Sequence, residues 1–278
     1  MNAEYITFRT NKSECKVPNR WRLLSPDLFE YLVMLLAQMS LGRIDANIVR
    51  ILYVSRVFSI NLRKVRDLDA MANLKVIADK IDFIFDEKGK VNACFLAQLV
   101  PKFGRYRGYR IKTDMDTLTC SLTAIQLIEA QEALKGGVSK LPLLAAILYC
   151  PVPYTSEKAH DIARRFMKDP VKLQAIALNF QALFTYLFTK THFSILASGS
   201  NTSSIPEIST GMIETLYNLS ADGMGDVQTI EQMQVIKFLT ILRKKLIESV
   251  KAMYDAKMDI VDIAEKTKLD TKLIKKMI

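Results

Sequence analysis

The chain has 278 residues, with 39 Lys+Arg against 29 Asp+Glu and a formal net charge of +10. Half of it is hydrophobic and only 10 glycines and 8 prolines occur, which excludes a disordered tail, a collagen-like repeat or a linker protein. Two histidines, His160 and His192, and one tryptophan, Trp21, narrow the catalytic options at once.

The N-terminus has no charged stretch followed by an apolar run, so a secretory signal is not expected. Tyr5 to Thr10 reads as a short strand or an extended arm. Helical signals begin at Ser25-Pro26-Asp27, which sets a hydroxyl cap, a proline at the first helical position and a carboxylate in the first turn. Leu28, Leu32, Leu35, Leu36 and Met39 then repeat at helical spacing, and Gly42 is a stop. The pattern predicts a second helix from Asp45 to about Phe58, with Ile48, Ile51, Leu52 and Val54 inward. It predicts a third from about Leu68 to Phe85, broken by Asp86-Glu87-Lys88-Gly89-Lys90.

Residues 89–119 show no apolar period and read as an exposed loop. Thr123 and Gln126 have capping-box spacing and open a helix ending near Lys135. Leu141 to Tyr149 is a short apolar helix, Ser156 a candidate cap for the next, and Asp169-Pro170 repeats the cap-plus-proline device. The helix it opens carries the longest uncharged stretch, Leu173 to Thr189. Gln174, Gln181 and Thr185 make a polar stripe on it, which fits a central helix and not a bilayer span.

Gly199 to Ser204 reads as a polar linker with Pro206 just beyond. A short helix follows over 211–220, then a turn from Asp222 to Asp226. Thr229 and Gln232 suggest a second capping box before a long helix to about Tyr254, and a small helix pair closes the chain. The expected fold is all-α: an irregular multi-helix bundle with at most one or two short N-terminal strands. Three segments are expected: 1–118, a helical half ending in a basic loop; 119–198, a central core; and 205–278, a C-terminal helical segment.

Chemistry is sparse. Cys15, Cys94, Cys120 and Cys150 lack paired metal-ligand spacing and read as reduced cytoplasmic thiols. His160 and His192 lie near no nucleophile signature. Lys135 to Lys140 lacks phosphate-loop spacing, and Asp114 with Asp116 is a solvated pair before it is a magnesium site. No catalytic residue, cofactor or metal is therefore expected.

The basic excess gathers in Arg63 to Arg66, in Lys102 to Lys112, in Arg243 to Lys245 and from Lys257 to Lys276. Arg105-Tyr106-Arg107-Gly108-Tyr109-Arg110 interleaves arginine, which pairs with phosphate, and tyrosine, which stacks on bases. A solubilising loop or a dock for an acidic protein fits that composition too. The C-terminal pair, with Ile260, Ile263 and Ala264 inward and Lys272 and Lys275 on its second helix, resembles a helix-turn-helix tail. No third helix follows to support it.

Several segments in order resemble an uncharacterised family encoded by tailed phages and prophages of gut bacteria. They are Val17 to Phe29, Leu141 to Pro151, Ile162 to Phe166, the helix around Asn179-Phe180, and Ile213 to Asp226. The family pattern has arginine where this chain has Cys150. The resemblance implies a helical tail-assembly chaperone or accessory protein encoded near the tape-measure gene. It would bind tape-measure or tail-tube proteins in the host cytoplasm, with no active site. Twelve methionines would suit an adaptable apolar groove. The alternative is a nucleic-acid-binding accessory protein using the Arg/Tyr loop and the C-terminal pair.

Overall fold

The computed structural model describes residues 3–9, 14–64, 67–114, 117–197, 212–221, 223 and 225–278. Twelve α-helices are present among them. The caps expected at Ser25, Asp45 and Asp169 each accept a hydrogen bond from the amide three residues on. They open α1 (Pro26–Ser40), α2 (Ala46–Val57) and α7 (Pro170–Lys190). Thr123 and Gln126 form the full capping box of α4 (Ala124–Lys135). The inner face of α2 is Val49, Tyr53 and Val54, with Ile51 and Leu52 partly buried as expected, while Ile48 stays exposed and Val49 takes its place.

α3 covers Leu68–Asp79 and stops six residues before Phe85. Ile81, Phe83, Ile84 and Phe85 are all buried around an exposed Asp82, so the spacing of apolar residues does not follow one helical face and does not fix a helix. Its backbone finds partners far along the chain instead: Asp82 N–H donates to the Asn19 side chain, and Asn92 N–H to the Ile84 carbonyl. No helix or multi-residue strand lies between α3 and residue 101.

Strands exceed the one or two expected at the N-terminus. β1 (Tyr5–Arg9) pairs antiparallel with β2 (Glu14–Pro18), and two more hairpins occupy the presumed loop. One is β3 (Lys102–Phe103) with β4 (Tyr106–Arg107), the other β5 (Ile111–Asp114) with β6 (Thr117–Cys120). The last pair is rich in threonine and alternates, with Ile111, Leu118 and Cys120 facing inward, a period of two that a search for helical spacing passes over. The chain is mainly α with three small separate hairpins.

α5 (Leu141–Leu148) and α6 (Ser156–Ala163) follow, but Thr155 caps α6, and the Ser156 hydroxyl donates instead to Glu129. After α8 (Met212–Ala221), α9 (Val227–Glu231) is capped by Asp226, so Thr229 lies inside a helix and its capping box does not form. α10 (Val235–Asp255) has no side-chain cap. Its start is tied to the segment before α4, by Val235 N–H to the Leu122 carbonyl and Ala124 N–H to the Met233 carbonyl. The polar linker at 199–204 and Pro206 lie outside the described residues, as do Asp222 and Met224 of the expected turn.

One core runs from Val17 to Leu239, with α7 at its centre against α1 and α5. Trp21 stacks on Phe95 at 5.2 Å, meets Phe83 edge-on at 5.1 Å and donates its indole N–H to the Asn92 carbonyl at 2.8 Å. A second small core holds Val250 of α10, Ile263 of α11 (Ile260–Thr267), Leu269, and Ile274 of α12 (Thr271–Ile274). The support that the helix pair needs comes from α10, which precedes it. No helix among the described residues is long and apolar enough to cross a membrane.

Asn179, on α7 and 1 % exposed, accepts from Leu99 N–H at 2.6 Å and donates to the Ala97 carbonyl at 2.7 Å. Asn179→Leu keeps the branching of the side chain but strands both backbone groups, each at about 1–3 kcal/mol. Chemical denaturation of that variant is expected to give a loss of about 3 kcal/mol.

Candidate nucleic-acid interface

The irregular strand that Asn179 grips runs directly into the basic hairpins. Tyr149, at the end of α5, donates its hydroxyl to the Val100 carbonyl, and Gly108 N–H donates to the Pro101 carbonyl. A Cβ on Gly108 would lie 2.8 Å from Gln98 Nε2 and 3.1 Å from the Tyr149 ring, so a larger residue there requires the Gln98 amide and the ring to give way. Beyond Gly108, Arg110 N–H donates to the Ser121 hydroxyl and Ser121 N–H to the Arg110 carbonyl, which closes the open end of the β5–β6 hairpin.

Between the hairpins and the end of α5 lies a cleft of about 980 Å³. Five cations line it, Lys102, Arg105, Arg107, Arg110 and Lys112, and no carboxylate among the described residues does. All five are exposed, and none forms a salt bridge among the described residues. The rest of the lining mixes the side chains of Gln98, Ser121 and Gln126 with apolar Leu148, Pro151 and Val152, and Val152 is 93 % exposed.

The interleaved arginines and tyrosines separate by direction. Arg105, Arg107 and Arg110 face solvent, Tyr106 is half-buried and Tyr109 is buried. Tyr106 leans on Phe166 at 5.1 Å, and its hydroxyl accepts from Arg165 at 2.7 Å and Arg105 at 3.4 Å. Burial works to raise the Tyr106 pKa, but the hydrogen bonds and charges of the two arginines outweigh it and lower the net value. Tyr109 is pushed well above the usual phenol range by burial, with Cys120 and Tyr149 adding to it. Neither ring is a free stacking platform, which corrects the expectation that the tyrosines meet bases.

Arg105, Arg107 and Arg110 of the expected contacts therefore share one surface, with Tyr106 and Tyr109 as its anchors. Lys272, on α12, and Lys275, just past its end, are exposed beside the second core, and no hydrogen bond or ion pair joins them to the cleft among the described residues. α12 is a single turn, short for an element that reads a groove. Sequence reasoning missed Arg165 and Lys168, which reach the hairpin from the turn after α6. The doublet Arg164-Arg165 with Lys168 was the available signal, but 59 positions separate Arg165 from Tyr106.

Both histidines are exposed. His160 Nδ1 meets the Ser156 carbonyl at 2.9 Å and His192 lies against Phe193. Burial, then Arg243, lowers the His192 pKa. Neither imidazole is hydrogen-bonded to a hydroxyl or thiol side chain among the described residues. No group of three metal-ligating side chains is found there either, and Asp116 lies outside them. Comparison with protein-family models, curated proteins and solved structures finds no match to this chain.

The Tyr109 hydroxyl is buried with no hydrogen-bond partner. An unsatisfied buried hydroxyl costs about 1–3 kcal/mol. Tyr109→Phe is therefore expected to raise the melting temperature by about 2 °C or more, read by thermal denaturation.

Proposed function

We propose that the chain is a non-enzymatic binding protein that holds single-stranded nucleic acid in the basic cleft. The observation that supports this reading is the lining itself: five exposed cations, no carboxylate among the described residues, and the exposed apolar Pro151 and Val152 in the same cleft. A strand offers both kinds of group, with phosphates along one edge and bases along the other. A merely solubilising loop would mix both signs of charge, and a dock for acidic protein gives no reason for the exposed Pro151 and Val152. With the tyrosines turned inward, contact is to phosphate and to apolar base faces, so binding is independent of sequence.

Fluorescence anisotropy with a labelled oligothymidylate tests this. Affinity is expected to fall with salt at a log–log slope of about −0.7 per phosphate contact, near −3.5 for five. Arg107→Gln with Arg110→Gln should weaken binding about tenfold and reduce the slope by about 1.4. Lys272→Gln with Lys275→Gln should leave both unchanged. Absence of binding at low salt would overturn the reading.

The resemblance to phage tail-cluster proteins supports a second reading, a tail-assembly chaperone or accessory protein that binds tape-measure or tail-tube proteins. One observation favours it. An apolar depression of about 320 Å³ lies between the β1–β2 hairpin and α3, lined by Phe8, Phe58, Ile60, Leu74 and Ile77. It takes one or two side chains of a partner helix, not its length. The methionines give little groove: Met34, Met39 and Met233 pack on the main core, and Met253, Met258 and Met277 on the small one. On this reading the wild type co-purifies with a co-expressed tape-measure or tail-tube protein, and Ile60→Lys abolishes that.

A further inference from the structure

Behind the β3–β4 hairpin lies a second, smaller depression of about 300 Å³ that shares Arg105 and Tyr106 with the large cleft. Its charged lining is Arg105, Arg165, Lys168, Lys172 and Asp169. Two of these are already engaged: Asp169 caps α7 at 3.0 Å, and the Lys172 ammonium pairs with Glu30 at 3.1 Å. Arg105, Arg165 and Lys168 form no salt bridge among the described residues.

Both guanidinium groups instead converge on one neutral oxygen, the Tyr106 hydroxyl, at 3.4 and 2.7 Å. Two cations drawn to the same neutral acceptor repel each other, and their remaining N–H groups lack an anion. Guanidinium pairs of this kind match the oxygens of a phosphate in geometry as well as charge. Phe166 fixes the Tyr106 ring from within the core, so the pair is held in place before any ligand arrives.

We propose that Arg105 and Arg165, with Lys168 beside them, clamp the terminal phosphomonoester of a strand whose body lies in the large cleft. The inference rests on the strand-binding reading and adds the chemistry of the strand's end. A phosphodiester carries one charge and two free oxygens. A phosphomonoester carries nearly two charges and three oxygens, enough to meet both forks and the ammonium. At about 300 Å³ the small depression has room for a phosphate and its hydration. The shared Arg105 puts it next to the cleft that takes the strand.

The test compares three oligothymidylates of equal length, bearing a 5′-phosphate, a 3′-phosphate or neither, by anisotropy with the full chain. One phosphorylated end is expected to bind about tenfold more tightly than the unphosphorylated strand. That preference should vanish in Arg165→Gln, which removes none of the five cations that line the large cleft. Equal binding of all three by the wild type overturns the clamp while leaving strand binding standing. A preference that survives in Arg165→Gln overturns the assignment to this arginine. If none of the three binds, the strand-binding reading itself fails, and the clamp with it.

Discussion

Asn179 takes one buried hydrogen bond from Leu99 N–H and gives another to the Ala97 carbonyl, and the surface of the protein on that side depends on this grip. The stretch from residue 91 to 101 has no ladder or helix to satisfy its backbone, yet Phe95, Leu99 and Val100 lie in the core. Buried backbone polar groups need partners, and here side chains of a central helix supply them. Asn179 fixes Ala97 and Leu99, Tyr149 fixes Val100, and Pro101 then receives Gly108 N–H. The basic hairpin thus starts from a rigid anchor, although it is only two residues per strand and would not hold its shape alone.

That anchor also accounts for the direction of the side chains. Once the β3–β4 turn is pinned at Pro101 and Gly108, Tyr106 and Tyr109 fall toward Phe166 and Tyr149, and the arginines between them face outward. Rings that seemed available for stacking become the packing that holds cations in position. The apolar contribution to a ligand passes to Pro151 and Val152, on a different stretch of the chain.

Local signals were legible wherever one residue and its own near neighbours decide the outcome. Ser25, Asp45, Thr123 and Asp169 cap helices as their spacing implies, since a cap bonds only three residues away. At Thr229 a better acceptor stands three residues earlier, and Asp226 takes the amide. Thr155 outcompetes Ser156 because Glu129, 27 positions back, takes the Ser156 hydroxyl. The early end of α3 and the tie between α10 and residues 122–124 are settled by partners remote in sequence, which periodicity does not register. The cleft follows the same division. Its arginines were readable from composition, whereas Arg165, the exposed Pro151 and Val152 and the inward tyrosines required the fold.

The surplus of ten positive charges has a structural counterpart in this arrangement. Exposed cations ordinarily lie among carboxylates, and the pairs Arg20–Asp82 and Lys244–Glu248 show the chain doing so elsewhere. Around the hairpin no such pair forms among the described residues: Lys102, Arg105, Arg107, Arg110 and Lys112 surround one cleft, with Arg165 and Lys168 next to it. Gathering like charges opposes folding, modestly at an exposed site and more at low ionic strength. A polyanion removes that repulsion and gains the released counterions as well. On the proposed reading, the feature that costs the free protein some stability is the one that would give a bound strand its affinity, and the two effects should weaken together as salt is added.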